Sequence, residues 1–220
     1  MRTGLILLAT LFGTMSWTFG QQDPEARKIL DEFTKKAQAS YPVRIEFLIT
    51  SESLMDNSTW SKEGELILDD AKYYLQLDDS RVYCDGNTLW HHVVSAEEVY
   101  ISDPENTGSE EDLILGKPQD LFTFYERDFK FRYTEQVEFD GKKFHHIDLF
   151  PKDLNKQFHT ITLIIGTDNY QLFRIQTRGK QGLLQTIQIN SYQEKAKTTE
   201  DTFRFNASRH PEVEEIDTRL

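Results

Sequence analysis

The sequence predicts a mainly β fold, and three features of the chain lead to that prediction. Short runs in which apolar and polar residues alternate recur from Val43 to Asn206. Turn sequences such as Asp85-Gly86-Asn87 and Asp140-Gly141-Lys142 separate these runs. Helical patterns are confined to a stretch before Pro42 and one short segment in the middle of the chain. Many short strands at regular spacing are typical of an antiparallel β-barrel or β-sandwich.

The first twenty residues have the pattern of a secretory signal peptide. One basic residue, Arg2, precedes an apolar run from Gly4 to Gly13, and small and aromatic residues then lead to Gly20. The apolar run is shorter than the ~20 residues that a membrane-spanning helix needs, which disfavours a transmembrane anchor. We therefore expect cleavage near Gly20, export of the product, and a single domain formed by residues 21–220.

A helix is predicted directly after the signal peptide. It begins at Pro24, and the preceding Asp23 is a suitable N-cap. Pro42 ends the helical stretch. The apolar residues of this helix form one stripe at helical spacing, which consists of Ala26, Ile29, Leu30, Phe33 and Ala37. A single stripe predicts that the helix buries one face against the rest of the fold.

Beyond Pro42 the apolar period changes from that of a helix to two, the period of a half-buried strand. Pro118–Glu126 is predicted as a short helix between strands, and the acidic segment Asp103–Asp112 as a surface loop. The predicted strands are Val43–Thr50, Glu65–Asp69, Lys72–Leu77, Arg81–Asp85, Thr88–Val94, Glu98–Ser102, Phe129–Glu135, Val137–Asp140, Lys143–Phe150, Phe158–Ile165, Leu172–Arg178, Leu183–Tyr192 and Phe203–Asn206.

Charge and residue types exclude several classes of function. The formal net charge of −12 disfavours binding by charge to nucleic acid or to an anionic membrane. Cys84 is the only cysteine, which excludes an intrachain disulfide, and its alternating strand predicts a buried, unreactive thiol. Neighbouring side chains on a strand point to opposite faces, so neither His91-His92 nor His145-His146 chelates a metal by itself. One histidine of each pair could still meet Asp85 or Asp148 across strands.

No motif of a serine hydrolase, a zinc protease or a phosphate-binding loop occurs in the sequence. We therefore expect no enzymatic activity, no metal and no cofactor. An enzyme that acts on a lipid or a glycan remains a distant alternative without visible catalytic residues.

The predicted strands divide into an apolar and a polar face. Alternate residues of each strand lie on the same face of the sheet. The apolar face includes Leu66, Leu75, Leu163 and Ile189, and the polar face includes residues such as Thr162. A sheet with one apolar face must cover that face or close on itself. Two interpretations are open: an ordinary packed core, which periodicity alone favours, and an apolar cavity under a movable lid.

The order of short motifs along the chain resembles the LolA family of periplasmic lipoprotein carriers. The motifs, which lie behind the signal peptide, are Ala26-x-x-Ile29-Leu30, Gly64-Glu65-Leu66, Lys72-Tyr73-Tyr74-Leu75, Asp85-Gly86-Asn87-Thr88-Leu89-Trp90, Ile147-Asp148-Leu149-Phe150-Pro151, Asp201-x-x-Phe203-x-Phe205, Pro211-x-Val213 and Ile216-Asp217. The resemblance covers nearly the whole chain after residue 20. It is sharpest at the Asp-Gly-x-x-Leu-Trp hairpin.

The resemblance implies an unclosed antiparallel β-barrel, or half-barrel, whose apolar hollow is covered by the N-terminal helix and the short mid-chain helix. It also implies a periplasmic carrier that is not an enzyme, binds the acyl chains of lipoproteins and delivers them to the outer membrane. The implied partners are acylated lipoproteins and an inner-membrane lipoprotein-releasing transporter, while the need for an outer-membrane receptor stays open. The alternative is a periplasmic module of the same fold that senses lipids or lipoproteins.

The resemblance also assigns the candidate binding residues. The acyl-binding residues are Leu66, Leu68, Tyr73, Leu75, Leu77, Trp90, Ile147, Leu149, Ile161, Leu163, Phe173, Ile175, Ile187 and Ile189. The lid residues are Ala26, Ile29, Leu30, Phe33, Leu121, Phe122 and Phe124. Many family members carry an Arg-Pro that fastens the lid, but here the segment reads Asp69-Asp70-Ala71-Lys72. Because lysine lacks the planar multi-donor fork of arginine, no latch residue is assigned.

Overall fold

The computed structural model describes residues 22–106 and 116–219, which form mainly β structure. The predicted signal peptide and residues 107–112 of the predicted acidic loop lie outside these ranges. Helix α1 spans Pro24–Ala39 and helix α2 spans Tyr125–Asp128. The strands are β1 Val43–Ser53, β2 Thr59–Asp69, β3 Lys72–Leu77, β4 Ser80–Cys84, β5 Leu89–Val93, β6 Glu98–Ser102, β7 Phe129–Phe139, β8 Lys142–Pro151, β9 Phe158–Gly166, β10 Leu172–Gly179, β11 Leu183–Gln193 and β12 Glu214–Asp217.

The strands of the described ranges form one unclosed sheet of 12 strands. Their order across the sheet is β12-β6-β5-β4-β3-β2-β1-β11-β10-β9-β8-β7, so β12 and β7 are the two edges. Neighbours pair antiparallel except β12, which runs parallel to β6. The sheet has an inner face, which α1 covers, and an outer face. This architecture confirms the predicted unclosed antiparallel β-barrel.

Irregular register bends the sheet around its cover. The pairing shifts at β-bulges between Glu46 and Phe47 on β1 and between Tyr133 and Glu135 on β7. The pairing of β10 with β9 also shifts between Leu172 and Arg174 and between Arg178 and Gly179. Each bulge adds an unpaired residue, bends its strand and increases the local twist. A long sheet can therefore curl around a helix without closing.

Four sequence-based assignments differ from the structure. The two strands predicted on either side of Gln136 form one continuous strand, β7, with a bulge. The predicted strand Phe203–Asn206 follows a 3₁₀ turn and pairs with no strand. Strand β12 was not predicted because it is short and acidic. The predicted helix Pro118–Glu126 is a 3₁₀ turn at Pro118–Asp120 followed by turns that lead into α2.

Helix α1 has the predicted N-cap and the predicted buried stripe. The Oδ1 atom of Asp23 accepts hydrogen bonds from the backbone N–H groups of Glu25, at 2.9 Å, and Ala26, at 3.2 Å. The helix ends at Ala39 and the chain passes through Tyr41 and a cis Tyr41-Pro42 bond into β1. Within residues 22–106 and 116–219, no helix is long and apolar enough to cross a bilayer.

Gly64 explains the Gly-Glu-Leu motif on β2. Gly64 faces Phe47 in the β1–β2 register, and the Phe47 ring lies over it. A Cβ atom at this position would lie 2.4 Å from Cζ of Phe47, closer than real Cβ contacts allow. Phe47 is only 1% exposed and has little room to move. The missing side chain therefore lets the aromatic ring pack into the inner face.

The Asp-Gly hairpin joins β4 to β5 and ties the C-terminal segment to the sheet. The Oδ1 atom of Asp85 accepts hydrogen bonds from the N–H groups of Asn87 and Thr88, and Gly86 takes a positive φ of 93°. The Nε atom of Arg204 donates to Oδ2 of Asp85 at 2.8 Å. Burial alone would raise the pKa of Asp85, but these hydrogen bonds and the Arg204 charge hold it below its usual value.

Residues 200–210 pack on the outer face of strands β3 to β5 and form a second, smaller apolar region there. His92 is 2% exposed, and its ring packs edge-on to Phe205 with centroids 5.3 Å apart. The His210 ring centroid also lies 5.3 Å from that of His92. The Nδ1 atom of His92 is buried and has no hydrogen-bond partner. A neutral imidazole is therefore favoured at this position.

Lowering the pH is expected to destabilise the fold through His92. Burial, followed by the charges of His210 and Arg81, lowers the pKa of His92, although Glu212 and Asp79 oppose this shift. A histidine with a lowered pKa in the folded state binds its proton more readily after unfolding. Stability should therefore be complete above the unfolded pKa of about 6.5 and fall as the pH drops below it. Denaturation at a series of pH values measures this slope.

The slope should be shallower in His92→Phe than in the parent, because the substitution removes the titrating group. His159→Phe is the matched control, since His159 is exposed on β9. An unchanged slope in His92→Phe would contradict the role of His92.

Candidate functional site: an apolar hollow under a helical cover

The inner face of the sheet forms the floor of the candidate site. Strands β1 to β5 and β7 to β11 contribute apolar side chains to one cluster, in which the predicted residues are 0–8% exposed. The predicted cavity residues in this cluster are Leu66, Leu68, Tyr73, Leu75, Ile147, Leu149, Ile161, Leu163, Ile175, Ile187 and Ile189. Leu77 is partly buried and packs against the same cluster. The sequence predicted that these twelve residues share one face of the sheet, and in the structure they lie in or against one apolar cluster.

Trp90 and Phe173 do not belong to this floor. Trp90 pairs with Tyr83 and lies on the outer face, because Leu89 and Cys84 take the inward positions of the hairpin. Phe173 follows Leu172 at the β10 bulge, and Leu172 is the residue that reaches the core. The assignment of both residues to the cavity was wrong.

Phe173 instead joins an aromatic group on the outer face. Its ring centroid lies 4.4 Å from that of Phe144 and 5.7 Å from that of Phe139. The guanidinium carbon of Arg174 lies 5.2 Å from the centroid of Phe139 and 5.5 Å from that of Phe173.

The cover consists of helix α1 and the segment of residues 121–125. The predicted lid residues are all buried, and they are Ala26, Ile29, Leu30, Phe33, Leu121, Phe122 and Phe124. Phe33 packs edge-on to Phe122 with ring centroids 5.4 Å apart, which joins the two parts of the cover. These seven lid residues are between 0% and 9% exposed. The stripe of α1 is therefore buried as the sequence predicts, and the cover packs closely on the floor.

Two hydroxyl groups hold the parts of the cover to one another. The Thr34 hydroxyl donates to the backbone carbonyl of Phe122 at 2.6 Å, and the Tyr125 hydroxyl donates to that of Leu30 at 2.9 Å. The two hydroxyl oxygens lie 2.8 Å apart. Burial raises the pKa of Tyr125, so its hydroxyl stays protonated and keeps donating. These hydrogen bonds join the two parts of the cover.

The N-terminal end of the cover is attached to the sheet edge by the side chains of two residues, which we call the N-terminal clasp. The Gln22 side chain donates to the carbonyl of Phe129 at 3.0 Å and accepts from the N–H of Phe131 at 3.1 Å. The Oδ2 atom of Asp23 accepts from the N–H of Tyr133 at 3.0 Å. These bonds satisfy backbone groups of β7 that no neighbouring strand pairs, and so they also protect the sheet edge.

The C-terminal end of α1 is fixed differently, because the chain runs from it directly into β1. The N–H of Lys195 donates to the carbonyl of Ser40, and that of Ala196 donates to the carbonyl of Pro42. The helix is therefore tied to the sheet by backbone at one end and by the clasp side chains at the other. Release of the clasp would free the N-terminal end first.

The segment that replaces the family's Arg-Pro forms the turn between β2 and β3. Asp70 in this turn has a positive φ of 57°. Burial, then the charges of Asp70 and Asp69, raise the pKa of Tyr41 to about 12. Lys72 points to the C-terminal segment, where its Nζ lies 3.7 Å from a carboxylate oxygen of Glu200. Lys72 therefore pairs with Glu200 and not with the cover.

Several core residues of the hollow were not among the predicted site residues. Val43, Ile45, Phe47 and Ile49 line it from β1, and their alternation was visible in the sequence. Tyr125, Phe129, Phe131 and Phe158 close the end of the hollow near α2. The Phe129 and Phe158 rings stack with centroids 6.2 Å apart and planes inclined by 14°. An aromatic-rich stretch was visible there, but no pattern told which of its rings point inward.

The other reactive side chains that the structure describes have separate partners. Cys84 is buried as predicted, its thiol donates to the carbonyl of Ala71 at 3.7 Å, and burial raises its pKa. His146 lies 3.2 Å from Asp148, and His91 hydrogen-bonds to Ser80. Among the residues that the structure describes, no three His, Cys, Asp or Glu side chains are arranged to hold a metal ion.

A cleft of about 400 Å³ on the sheet is lined by Glu46, Phe47, Glu63, Gly64, Glu65, Gln76 and Asn190. Most of the side chains that line it are charged or amide groups, and these point to the outer face of the sheet. Such a lining is unsuited to acyl chains, whereas the covered hollow is lined by apolar side chains.

Comparisons with known proteins agree with this architecture. Residues 74–206 match the family model described as "Outer membrane lipoprotein carrier protein LolA". No sequence among the curated proteins matches the chain. An uncharacterized conserved protein from Thermus thermophilus is similar in structure, with a TM-score of 0.55 at 10% identity over 88% of this chain and 99% of that one. At this identity the likeness shows a shared fold alone.

Two other solved structures are more distant. The LolA superfamily protein NE2245 from Nitrosomonas europaea has a TM-score of 0.44 at 9% identity, over 82% of this chain and 97% of that one. LprF from Mycobacterium bovis has a TM-score of 0.49 at 14% identity, over 81% of this chain and 97% of that one.

Proposed function

Because the chain belongs to the LolA family of outer membrane lipoprotein carrier proteins, we propose that it carries lipoproteins through the periplasm with their acyl chains held in the covered hollow. The chain takes acylated lipoproteins from an inner-membrane releasing transporter and delivers them to the outer membrane. The observation that supports this most is the two-part interior: an entire apolar face of a sheet is buried by a separate cover. This role requires no catalysis, no metal and no cofactor.

The energies of the two states make the exchange of cover for cargo feasible. Exposing three lid side chains such as Ile29, Leu30 and Phe33 costs about 1.5–3 kcal/mol each. An acyl chain of about 15 methylene groups gains about 0.8 kcal/mol for each group that leaves water. Displacing all seven lid side chains would cost up to about 21 kcal/mol at this rate, which the three buried acyl chains of a triacylated lipoprotein outweigh. Cargo entry and cover displacement would then be one event, in which the ligand selects the open state.

The direct test compares a triacylated lipopeptide with the same peptide without acyl chains. Titration calorimetry of the purified protein should detect binding of the lipopeptide and none of the unmodified peptide. Equal binding of the two peptides would contradict the proposal, because recognition would then lie in the peptide. Failure of both to bind would contradict it as well.

Weakening the N-terminal clasp is expected to raise the affinity for acylated peptide. Gln22→Ala removes both of that residue's hydrogen bonds to β7, which stabilise only the closed state. Each such bond is worth about 1 kcal/mol net. The affinity for the lipopeptide should therefore rise by up to about 30-fold, because the ligand competes with a weaker closed state. The dissociation constants of variant and parent measure this effect.

Gln38→Ala is the matched control, since Gln38 is an exposed glutamine near the other end of α1. It should bind like the parent. An affinity of Gln22→Ala that equals the control's would show that opening does not involve the clasp.

A further inference from the structure

One end of the sheet carries most of the large apolar side chains that the described residues expose. Leu54 and Met55 lie in the turn between β1 and β2 and are 71% and 77% exposed, and Trp60 follows them on β2 at 46%. Leu154, in the connection between β8 and β9, is 82% exposed, and Leu183 at the start of β11 is 46% exposed. Solvated loop tips seldom carry such side chains together, which indicates a contact surface.

Hydrogen bonds hold these tips next to one another. The N–H of Leu54 donates to the carbonyl of Gly182 at 2.9 Å, which joins the β1–β2 turn to the β10–β11 turn. The N–H of Lys180 donates to the carbonyl of Gln157 at 2.8 Å, and its Nζ donates to that of Leu154 at 2.5 Å. Residues 53–58, 151–157 and 179–183 therefore form one surface, which we call the loop edge.

The charge of the loop edge differs from that of the whole protein. Its charged residues are Lys152, Lys156 and Lys180 against Asp56 and Asp153, whereas the chain as a whole has a formal net charge of −12. The loop edge is therefore weakly basic on a strongly acidic molecule. An anionic surface would repel the other faces and favour this one.

We propose that the loop edge docks the protein on an anionic phospholipid surface. Leu54 and Met55 project from one tip and Leu154 from another, each at more than two thirds exposure, a shape that enters the boundary between headgroups and acyl chains. The lysines beside them place ammonium groups at the level of the phosphates. A flat protein partner would leave the grooves between such tips unfilled. Lipid, in contrast, adapts to them.

The loop edge also lies next to the aromatic end of the hollow, where the cover meets β7. Phe158, just behind it at the start of β9, stacks on Phe129, and Phe129 packs edge-on to Phe124 of the cover at 5.7 Å. Docking would therefore direct the aromatic end of the hollow, where the cover joins β7, toward the bilayer. The docking itself needs no cargo and goes beyond the proposed carrier role.

The test is flotation of the purified, cargo-free protein with vesicles of phosphatidylethanolamine and phosphatidylglycerol. The parent should float with these vesicles and less with vesicles of phosphatidylcholine alone. Leu154→Asp and Met55→Asp should each lower the bound fraction by about tenfold, because each removes a large apolar side chain from the lipid boundary. Tyr100→Asp is the control, since Tyr100 is a moderately exposed aromatic on β6, away from the loop edge.

Each other outcome overturns the proposal. A parent that does not float, or loop-edge variants that float like Tyr100→Asp, would exclude lipid docking. Binding only to membranes that contain proteins would assign the loop edge to a protein partner, and an oligomer lost in the variants would assign it to a second copy of the chain. Lipopeptide binding in solution should stay at the parent's level in all three variants, so failure of docking is distinct from failure of the carrier role.

Discussion

Leu163→Glu is expected to abolish the binding of acylated peptides and to lower the free energy of unfolding by more than about 4 kcal/mol. Leu163 is fully buried on β9, in the middle of the floor. A carboxylate there would have no opposite charge to pair with on the apolar inner face, and an unpaired buried charge is among the most costly substitutions. It would also stand where acyl chains are proposed to lie. Chemical denaturation measures the first effect and lipopeptide titration the second.

Thr160→Glu provides the matched control on the same strand. Thr160 is half-buried on the outer face and lies opposite Arg178 of β10, which can pair with the new charge. This variant should fold and bind like the parent. Ile189→Glu, at a position 8% exposed on the inner face, keeps the binding test usable if Leu163→Glu does not fold. Normal lipopeptide binding by a folded Leu163→Glu or Ile189→Glu protein would show that the inner face is not the binding surface.

Cross-linking the N-terminal clasp is expected to block loading completely. In Asp23→Cys/Tyr133→Cys the two thiols would stand on neighbouring residues across the gap between α1 and β7, because the Asp23 side chain reaches the backbone N–H of Tyr133. A short, cleavable thiol-reactive cross-linker between them would keep the N-terminal end of α1 on the sheet edge. Because the hollow is filled by the cover, acyl chains could then not enter. Lipopeptide uptake, followed by fluorescence, should be absent in the cross-linked protein.

Reduction of the cross-linker should restore uptake, and the reduced protein is its own control for the two substitutions. The native Cys84 is 1% exposed with a raised thiol pKa, so it should not react with the reagent. Uptake at the full rate in the cross-linked state would exclude gating by this end of α1.

The elements that the sequence predicted correctly are those in which one period runs unbroken. Helix α1 carries a complete stripe, and the inward residues Leu66 and Leu75 keep a period of two on strands whose pairing has no bulge. Phe173 was misplaced because a bulge beside it reverses the parity, and nothing in the local sequence marks that bulge. Trp90 was assigned from a motif although its neighbour Leu89 has the inward parity of the hairpin.

The parts that sequence analysis missed depend on contacts between distant segments. Gln22 and Asp23 are an ordinary helix start in the sequence, and only the position of the β7 edge turns their side chains into a clasp. In the sequence, Thr34 is likewise only a polar residue beside an apolar stripe. Its hydrogen bonds to Phe122 and Tyr125 exist because the fold brings these distant residues next to it. The close packing of the cover on the floor could not be predicted either. The periodicity of apolar residues indicates which face is buried but not how closely that face is packed.

The position of bound acyl chains tests the central claim most directly. A triacylated lipopeptide with a photoreactive diazirine at the end of one acyl chain can be bound, irradiated and traced by mass spectrometry of the digested protein. We expect adducts on inner-face residues such as Leu66, Leu149 and Leu163, and on cover residues such as Phe33. Adducts confined to the outer face, for example near Trp90 or Phe173, would contradict a hollow that exchanges its cover for acyl chains.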